Sequence, residues 1–72
     1  MKERFERDLF TLSGARQNRN ITQEDLGLAL GVSKSTVVAW ERGEVEVKPL
    51  HLYAYAYFLG MNADNISLPK KI

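Results

Sequence analysis

Residues 21–43 of the 72-residue chain read ITQEDLGLALGVSKSTVVAWERG, and this stretch decides the fold. The same pattern occurs twice in it: a β-branched apolar residue, a hydroxyl residue, and a run that ends at glycine. Thr22 and Ser33 are good N-caps, because a hydroxyl oxygen accepts a hydrogen bond from a free N–H group of the first helical turn. Gly31 and Gly43 are typical of helix C-terminal ends. The stretch therefore predicts two short helices joined at Gly31.

The first of these helices is predicted to run from Thr22 to Leu30 and the second from Lys34 to Arg42. Each has a hydrophobic staple, a contact between the residue before the cap and a residue in the second turn. The staples pair Ile21 with Leu26 and Val32 with Val37. The second helix is rich in β-branched residues of low helix propensity, so it depends on tertiary packing.

Two capped helices joined by a glycine form a candidate helix-turn-helix over about 22–42. Its shared core is predicted to consist of Leu26, Leu30, Val37 and Trp40. Gly27 is small where the second helix must pass close to the first, and Gly31 permits the backbone conformation of a tight turn. Trp40 is expected in this core rather than as an exposed stacking platform.

Further elements are predicted on both sides. Apolar residues at helical spacing, Phe5, Leu9, Leu12 and Ala15, predict a helix from about Lys2 to Asn18. Pro49 and Gly60 bracket another helix, whose apolar face comprises Leu52, Tyr55, Ala56 and Leu59.

The remaining segments predict irregular structure. Residues 44–48 alternate polar and apolar side chains, and a loop is favoured over a short strand because no neighbouring strand is predicted to pair with it. Asn62 can cap a last short turn through Ile66, and residues 67–72 are expected to form a flexible tail.

Composition limits what this chain can be. Its length suits one domain, 1–72, with a small core. With no cysteine and one histidine, His51, which is expected to be exposed, we expect no disulfide, metal site or cofactor. No apolar run approaches the roughly 18 residues that span a membrane, and we expect a cytoplasmic protein. The formal net charge of +1 is only weak support for a polyanionic partner.

Catalytic patterns are missing from the sequence. It contains no nucleophile–base pairing, no paired carboxylates in a plausible pocket and no glycine-rich phosphate loop, so we expect no enzyme, no catalytic residue and no small-molecule substrate. A chain of this size is also expected to lack an effector domain. Its control would then rest on its own concentration, dimerisation or a partner protein.

The helix-turn-helix stretch, together with the ending AYFLGMNADNI at residues 56–66, resembles the phage-repressor-like (Xre-type, lambda-repressor-like) helix-turn-helix family. The resemblance covers about Leu12 to Ile66. It implies an all-α, compact domain of five helices, the third of which lies in the major groove of double-stranded DNA. It also implies a regulator, such as a bacterial or phage-encoded repressor, that binds a palindromic operator as a homodimer.

The resemblance places DNA contacts on the N-terminal ends of the second and third helices. Lys34 and Ser35 would read base edges, with Val38 or Ala39 meeting a thymine methyl group. Phosphates would lie at the free N–H groups of the second helix and at two cationic side chains. The implied set is Thr22, Gln23, Ser33, Lys34, Ser35, Thr36, Val38, Ala39, Arg42 and Lys48, with Ser33 favoured as a cap over a base reader.

The loop after Gly43 departs from the family pattern. It is often basic in similar proteins, but here it contains Glu44 and Glu46, which would repel phosphates. Val47 stands where the family usually has a proline, so the resemblance does not carry backbone contacts over to this loop.

Two further sets of residues follow from the resemblance. Similar proteins form an internal ion pair at the positions of Arg16 and Glu41, and this pair is favoured over a DNA contact by Arg16. Tyr53 and Tyr57 lie one turn apart, either as partly packed surface or in a dimer interface, where tyrosine is enriched. The same alternatives apply to Phe10 and Phe58. The favoured interface is Tyr53, Tyr57, Phe58, Met61 and Ile66.

Two functions remain open from the sequence. The first is the DNA-binding regulator. The second is a protein–protein module, such as an antitoxin or antirepressor, and the near-neutral charge and the two loop glutamates favour it. This second function predicts weak DNA binding with little sequence preference.

Overall fold

Four α-helices make up most of the computed structural model, which describes residues 9–69. The elements are β1 (Phe10–Thr11), α1 (Leu12–Asn18), α2 (Gln23–Leu30), α3 (Lys34–Arg42), α4 (Pro49–Leu59), a 3₁₀ turn (Ala63–Asn65) and β2 (Ile66–Ser67). The helical class is confirmed. The five-helix count is not, because the fifth helical element of the described residues is one 3₁₀ turn. Asn62 caps this turn, since its Oδ1 accepts from the Asp64 N–H at 2.9 Å.

The helix-turn-helix begins and ends at the predicted residues. The Thr22 hydroxyl caps α2 by accepting from the Asp25 N–H at 3.0 Å, and Ser33 caps α3 by accepting from the Thr36 N–H at 3.1 Å. Gly31 and Gly43 follow the two helices with φ of 74° and 76°. These left-handed conformations favour glycine, and they end both helices.

The predicted first helix is wrong at its N-terminal end. α1 begins at Leu12, because the Thr11 hydroxyl accepts from the Gly14 N–H at 3.0 Å and so caps the helix there. Leu9 lies before the helix and is 57% exposed, so it is not part of an apolar helical face. The rest of the predicted helix, Lys2 to Asp8 with Phe5, lies outside the described residues.

A short parallel strand pair, which the sequence does not predict, joins the two ends of the described chain. Phe10 pairs with Ile66 and Thr11 with Ser67. Ser67, predicted as the first residue of the tail, therefore lies in a strand, and only Leu68 and Pro69 follow it among the described residues.

The core lies between the four helices. Its buried apolar residues are Leu12, Ala15, Leu26, Val37, Trp40, Val47, Tyr55, Ala56, Leu59 and Ile66. Trp40 is 2% exposed and belongs to this core. His51, expected to be exposed, is half-buried, because its ring packs on Trp40 with the centroids 4.9 Å apart.

No helix among residues 9–69 has the length and apolar character needed to cross a membrane. Within the same part of the chain, no three His, Asp or Glu side chains cluster as a metal site would require.

Candidate nucleic-acid interface

The first turn of α3 is an accessible part of the candidate interface. Lys34 and Ser35 are exposed, while Val38 and Ala39, one turn further on, are half-buried. Val37, which lies between these two pairs in the sequence, is fully buried. α3 thus packs by one face and leaves its N-terminal end free for a partner.

Ser33 and Thr36 are occupied by the cap of α3. Besides accepting from the Thr36 N–H, the Ser33 hydroxyl lies 3.0 Å from the Thr36 hydroxyl. Both hydroxyls therefore have a partner within the protein, and they are less available to bases than Lys34 and Ser35.

The N-terminus of α2 lies beside the first turn of α3. Two adjoining surface grooves, of about 650 and 450 Å³, run along this junction. Both are lined by Gln17, Gln23 and Lys34, and the larger also by Thr22. The structure therefore brings the residues implied as phosphate contacts, Thr22 and Gln23, together with Lys34.

The C-terminal end of α3 is less favourable for an anion. The Arg42 guanidinium lies 3.8 Å from the Glu44 carboxylate, and both side chains are well exposed. Such a surface pair is weak, but it reduces the positive charge that Arg42 offers to a phosphate. Glu46 is exposed in the same loop. Lys48 is also exposed and precedes α4, where its side chain makes no capping hydrogen bond.

Arg16 and Glu41 lie beneath the junction and form a bidentate pair. Arg16 Nε donates to Glu41 Oε2 at 2.8 Å, and Arg16 Nη2 donates to Oε1 at 3.2 Å. The two side chains are only 10% and 5% exposed. Arg16 Nη1 also donates to the Ile21 carbonyl oxygen at 2.8 Å, which ties α1 to the segment before α2. Arg16 thus has an internal role.

Sequence reasoning missed two further members of this network. Tyr55 Oη lies 2.8 Å from Glu41 Oε2 and 2.7 Å from the Leu12 carbonyl oxygen. Gln23 Nε2 donates to Glu41 Oε1 at 3.0 Å. A buried tyrosine hydroxyl needs a partner, so its placement on the apolar face of α4 was a usable signal. The sequence could not predict which group that partner would be, because the contact depends on tertiary packing.

Within this network, Glu41 and Arg16 stay ionised at neutral pH and Tyr55 stays neutral. Burial raises the pKa of Glu41, but hydrogen bonds from Arg16, Gln23 and Tyr55 outweigh it and hold the pKa below the ordinary value. The hydrogen bond with Glu41 raises the pKa of Arg16 against the opposing effect of burial. Burial, and then the neighbouring Glu41 carboxylate, raise the pKa of Tyr55, so its hydroxyl stays protonated.

Arg19 is a second residue that sequence reasoning missed. Its Nε donates to the Leu59 carbonyl oxygen at 2.8 Å, at the C-terminal end of α4. A cation is favourable there because helix carbonyl groups are unpaired at that end. Arg19 therefore joins the segment before α2 to α4.

The residues expected at a dimer interface divide into two groups. Tyr53, Tyr57 and Phe58 are 63%, 88% and 42% exposed, and Leu50 on the same helix is 75% exposed. Ile66 is 7% exposed, because β2 turns it into the core, so its assignment to the interface is wrong. Met61 is half-buried against the core, as is Phe10.

Comparisons with known proteins agree with this architecture. The helix-turn-helix family profile matches residues 12–66. An uncharacterized HTH-type transcriptional regulator of Methanocaldococcus jannaschii is 38% identical over 47 residues, which cover 65% of this chain and 71% of the relative. No solved structure matches the chain significantly. The match from α1 to β2 shows that the chain belongs to the Xre-type, lambda-repressor-like helix-turn-helix family.

Proposed function

We propose that this protein is a sequence-specific regulator of transcription, acting as a repressor, that inserts α3 into the major groove of double-stranded DNA. It acts by binding and not by catalysis. The observation that carries the proposal is the exposed first turn of α3 beside the N-terminus of α2, on two helices held by a common buried core. In this family geometry, that turn reaches the base edges.

Each part of the junction has a separate task in this proposal. Lys34 donates to guanine O6 or N7, and Ser35 contacts a neighbouring base. The free N–H groups at the start of α2 bind a phosphate beside Thr22 and Gln23. Lys48 and Arg42 contribute charge at the other end, where Glu44 offsets part of it. Base contacts set the sequence preference, and phosphate contacts set the position on DNA.

The regulator is proposed to bind as a homodimer on a palindromic operator. α4 contains no Asp, Glu, Lys or Arg, and its outward face exposes Leu50, Tyr53, Tyr57 and Phe58. A helix that is apolar all round is normally covered on both faces. A second copy of the chain covers it in this proposal, and the half-sites lie about one helical turn of DNA apart.

Fluorescence anisotropy tests the proposal. The protein is titrated against its own upstream DNA and against scrambled DNA of equal length, at two salt concentrations. A preference for the native site of about 10³ or more is expected, as for specific binders in general. Equal, weak binding to both DNAs at physiological salt would exclude regulation of its own promoter.

Three variants separate the residue roles in the same titration. Lys34→Ala is expected to lose sequence preference, whereas Arg42→Ala weakens binding to both DNAs. Glu44→Gln is the matched control, because removing this carboxylate leaves Arg42 unpaired and so strengthens binding to both DNAs. A Glu44→Gln protein that binds both DNAs no more tightly than the wild type would show that the loop does not lie near phosphates.

A protein partner is the second candidate function, and the exposed acidic loop at Glu44 and Glu46 favours it. An antitoxin or antirepressor of this kind would place that loop against a basic surface. It would give equal, weak binding to the two DNAs, and Glu44→Gln would weaken its complex with the partner.

A further inference from the structure

Gln23 is held from beneath by Glu41. A carboxylate at neutral pH only accepts hydrogen bonds, so the contact of 3.0 Å fixes the NH₂ group of the Gln23 amide toward Glu41. One of the two N–H bonds of that group is used there. The other N–H and the amide oxygen remain for the grooves that Gln23 lines. The orientation of the amide at the DNA-facing end of α2 is thus set by the carboxylate.

The carboxylate is held in turn by Tyr55. Glu41 Oε1 accepts from Gln23 and Arg16, while Oε2 accepts from Arg16 and lies 2.8 Å from Tyr55 Oη. The hydroxyl has one proton and faces two acceptors, Oε2 and the Leu12 carbonyl oxygen, so it shares that proton between them. Without the hydroxyl, Oε2 would keep only Arg16 as a partner among residues 9–69, and the carboxylate would have more freedom to turn away from Gln23.

We infer that Tyr55 is a positioning residue for DNA binding, because its hydroxyl orients Glu41 and Glu41 orients the Gln23 amide toward a phosphate. This inference rests on the proposed function. Tyr55 is fully buried and cannot itself touch DNA. It acts by fixing the Gln23 side chain in advance, so that less conformational entropy is lost when DNA binds.

The same chain of contacts links α4 to the DNA-facing end of α2. Tyr55 lies on the inner face of α4, whose outer face is the proposed dimer surface. A shift of α4 therefore moves the hydroxyl relative to Glu41 and loosens Gln23.

A test without DNA uses the side-chain amide NMR signals. The chain has two glutamines, Gln17 and Gln23, so Gln17 serves as an internal control. In Tyr55→Phe, which keeps the ring and removes the hydroxyl, the Gln23 amide signals are expected to move toward the positions of an unbonded amide. The Gln17 signals are expected to stay in place. Unchanged Gln23 signals would overturn the inference.

A second variant, Gln23→Met, tests the same link from the other end if Tyr55→Phe does not fold. Gln23→Met removes the amide from a half-buried surface position and preserves the length of the side chain. The ring signals of Tyr55 are expected to shift in Gln23→Met and to stay unchanged in Gln17→Met, the matched control. Tyr55 signals that respond equally to both variants, or to neither, would contradict the link.

A double-mutant cycle then tests the role in DNA binding. Affinity for the upstream DNA is measured for the wild type, Tyr55→Phe, Gln23→Met and the double variant, at a temperature where circular dichroism shows all four folded. Tyr55→Phe is expected to weaken binding about fivefold, the factor that corresponds to one net hydrogen bond. It is expected to cause no further loss when Gln23 is already Met.

The outcomes of the cycle are separable. Equal weakening by Tyr55→Phe in both backgrounds would show that Tyr55 acts by another route, which overturns the inference. A wild type without preference for its upstream DNA would exclude regulation of its own promoter and the DNA half of this inference with it. The NMR signals would still decide whether Tyr55 orients Gln23.

Discussion

Glu41 is the residue on which all four helices converge. Its carboxylate, on α3, accepts from Arg16 on α1 and Gln23 on α2, and it lies within hydrogen-bonding distance of Tyr55 on α4. Removing one partner of a buried pair leaves the other charge uncompensated. We therefore expect Glu41→Gln to lose about 3 kcal/mol of unfolding free energy at neutral pH, near the lower end for buried pairs.

The stability that Glu41 supplies depends on pH. Its pKa is below the ordinary value in the folded protein and returns to about 4.3 in the unfolded chain. The contribution is therefore complete above that ordinary value and is lost as the pH falls through the depressed folded pKa. We expect the difference in unfolding free energy between the wild type and Glu41→Gln to narrow below about pH 4.

Urea unfolding at a series of pH values measures this difference. Glu46→Gln is the control, because Glu46 is exposed in the loop after α3 and its stability difference from the wild type should stay small throughout. A difference for Glu41→Gln that stays constant down to pH values below both pKa values would mean that the pKa of Glu41 is the same in the folded and the unfolded protein.

At the scale of the elements, the crossing of α2 and α3 depends on Gly27. A Cβ atom at this position would lie 2.7 Å from the Val32 carbonyl oxygen, which belongs to the backbone of the turn. Alanine has a helix propensity about 1 kcal/mol better than glycine, but overpacking against a backbone atom costs about 1–3 kcal/mol. We expect Gly27→Ala to destabilise the protein by about 1 kcal/mol, the difference between these two effects.

Gly14→Ala is the matched control for this prediction. Its Cβ would meet the Thr11 hydroxyl oxygen at 2.9 Å, and that side chain can rotate away at the cost of its cap. We therefore expect almost no change in Tm for Gly14→Ala, whereas Gly27→Ala should lower the Tm clearly. Equal effects of the two variants would show that the turn can move aside.

The elements that the sequence predicts well are those specified by neighbouring residues. Thr22 and Ser33 cap helices from three residues away, and the glycines end them through their own backbone conformation. The start of α1 is set partly by the pairing of Phe10 with Ile66, which are far apart in sequence. Such non-local pairing leaves no periodic signal in a two-residue strand.

The sequence likewise predicts one part of the candidate interface and misses the part that depends on contacts between distant residues. The resemblance points to the N-terminal ends of α2 and α3, where Lys34 and Ser35 are exposed. It also implies the pair of Arg16 and Glu41. It does not reveal that Gln23 is bound to Glu41 from within, because that contact depends on how three helices meet.

At the scale of the whole molecule, charge supplies little of the DNA affinity. Ten cationic residues are offset by nine acidic ones, and Glu44 partly neutralises Arg42 at the C-terminal end of α3. Each phosphate that a protein neutralises contributes to affinity, so a protomer with a formal net charge of only +1 is expected to bind DNA weakly. A dimer that binds two half-sites reaches a higher overall affinity through the effective concentration of its second protomer, and it needs no new kind of contact to DNA.

In the proposed homodimer, the surface on α4 therefore controls the affinity for a full operator. Tyr57 is the most exposed of its apolar residues, at 88%, and a charge there would be buried against the second copy. We expect Tyr57→Glu to weaken dimerisation about tenfold or more, as for a central interface residue. Its affinity for the full palindrome should fall toward that for a half-site, while half-site affinity stays constant.

Sedimentation equilibrium and anisotropy with full and half operators measure these two effects. Leu28→Glu is the matched control for sedimentation, because Leu28 is 81% exposed but lies on α2, where it lines a groove with Ser33 and Lys34. It should leave the oligomeric state unchanged. A Tyr57→Glu protein that sediments like the wild type would show that another face joins the protomers. If Leu28→Glu weakened dimerisation as much as Tyr57→Glu, any exposed apolar residue would drive the association, and α4 would have no special role.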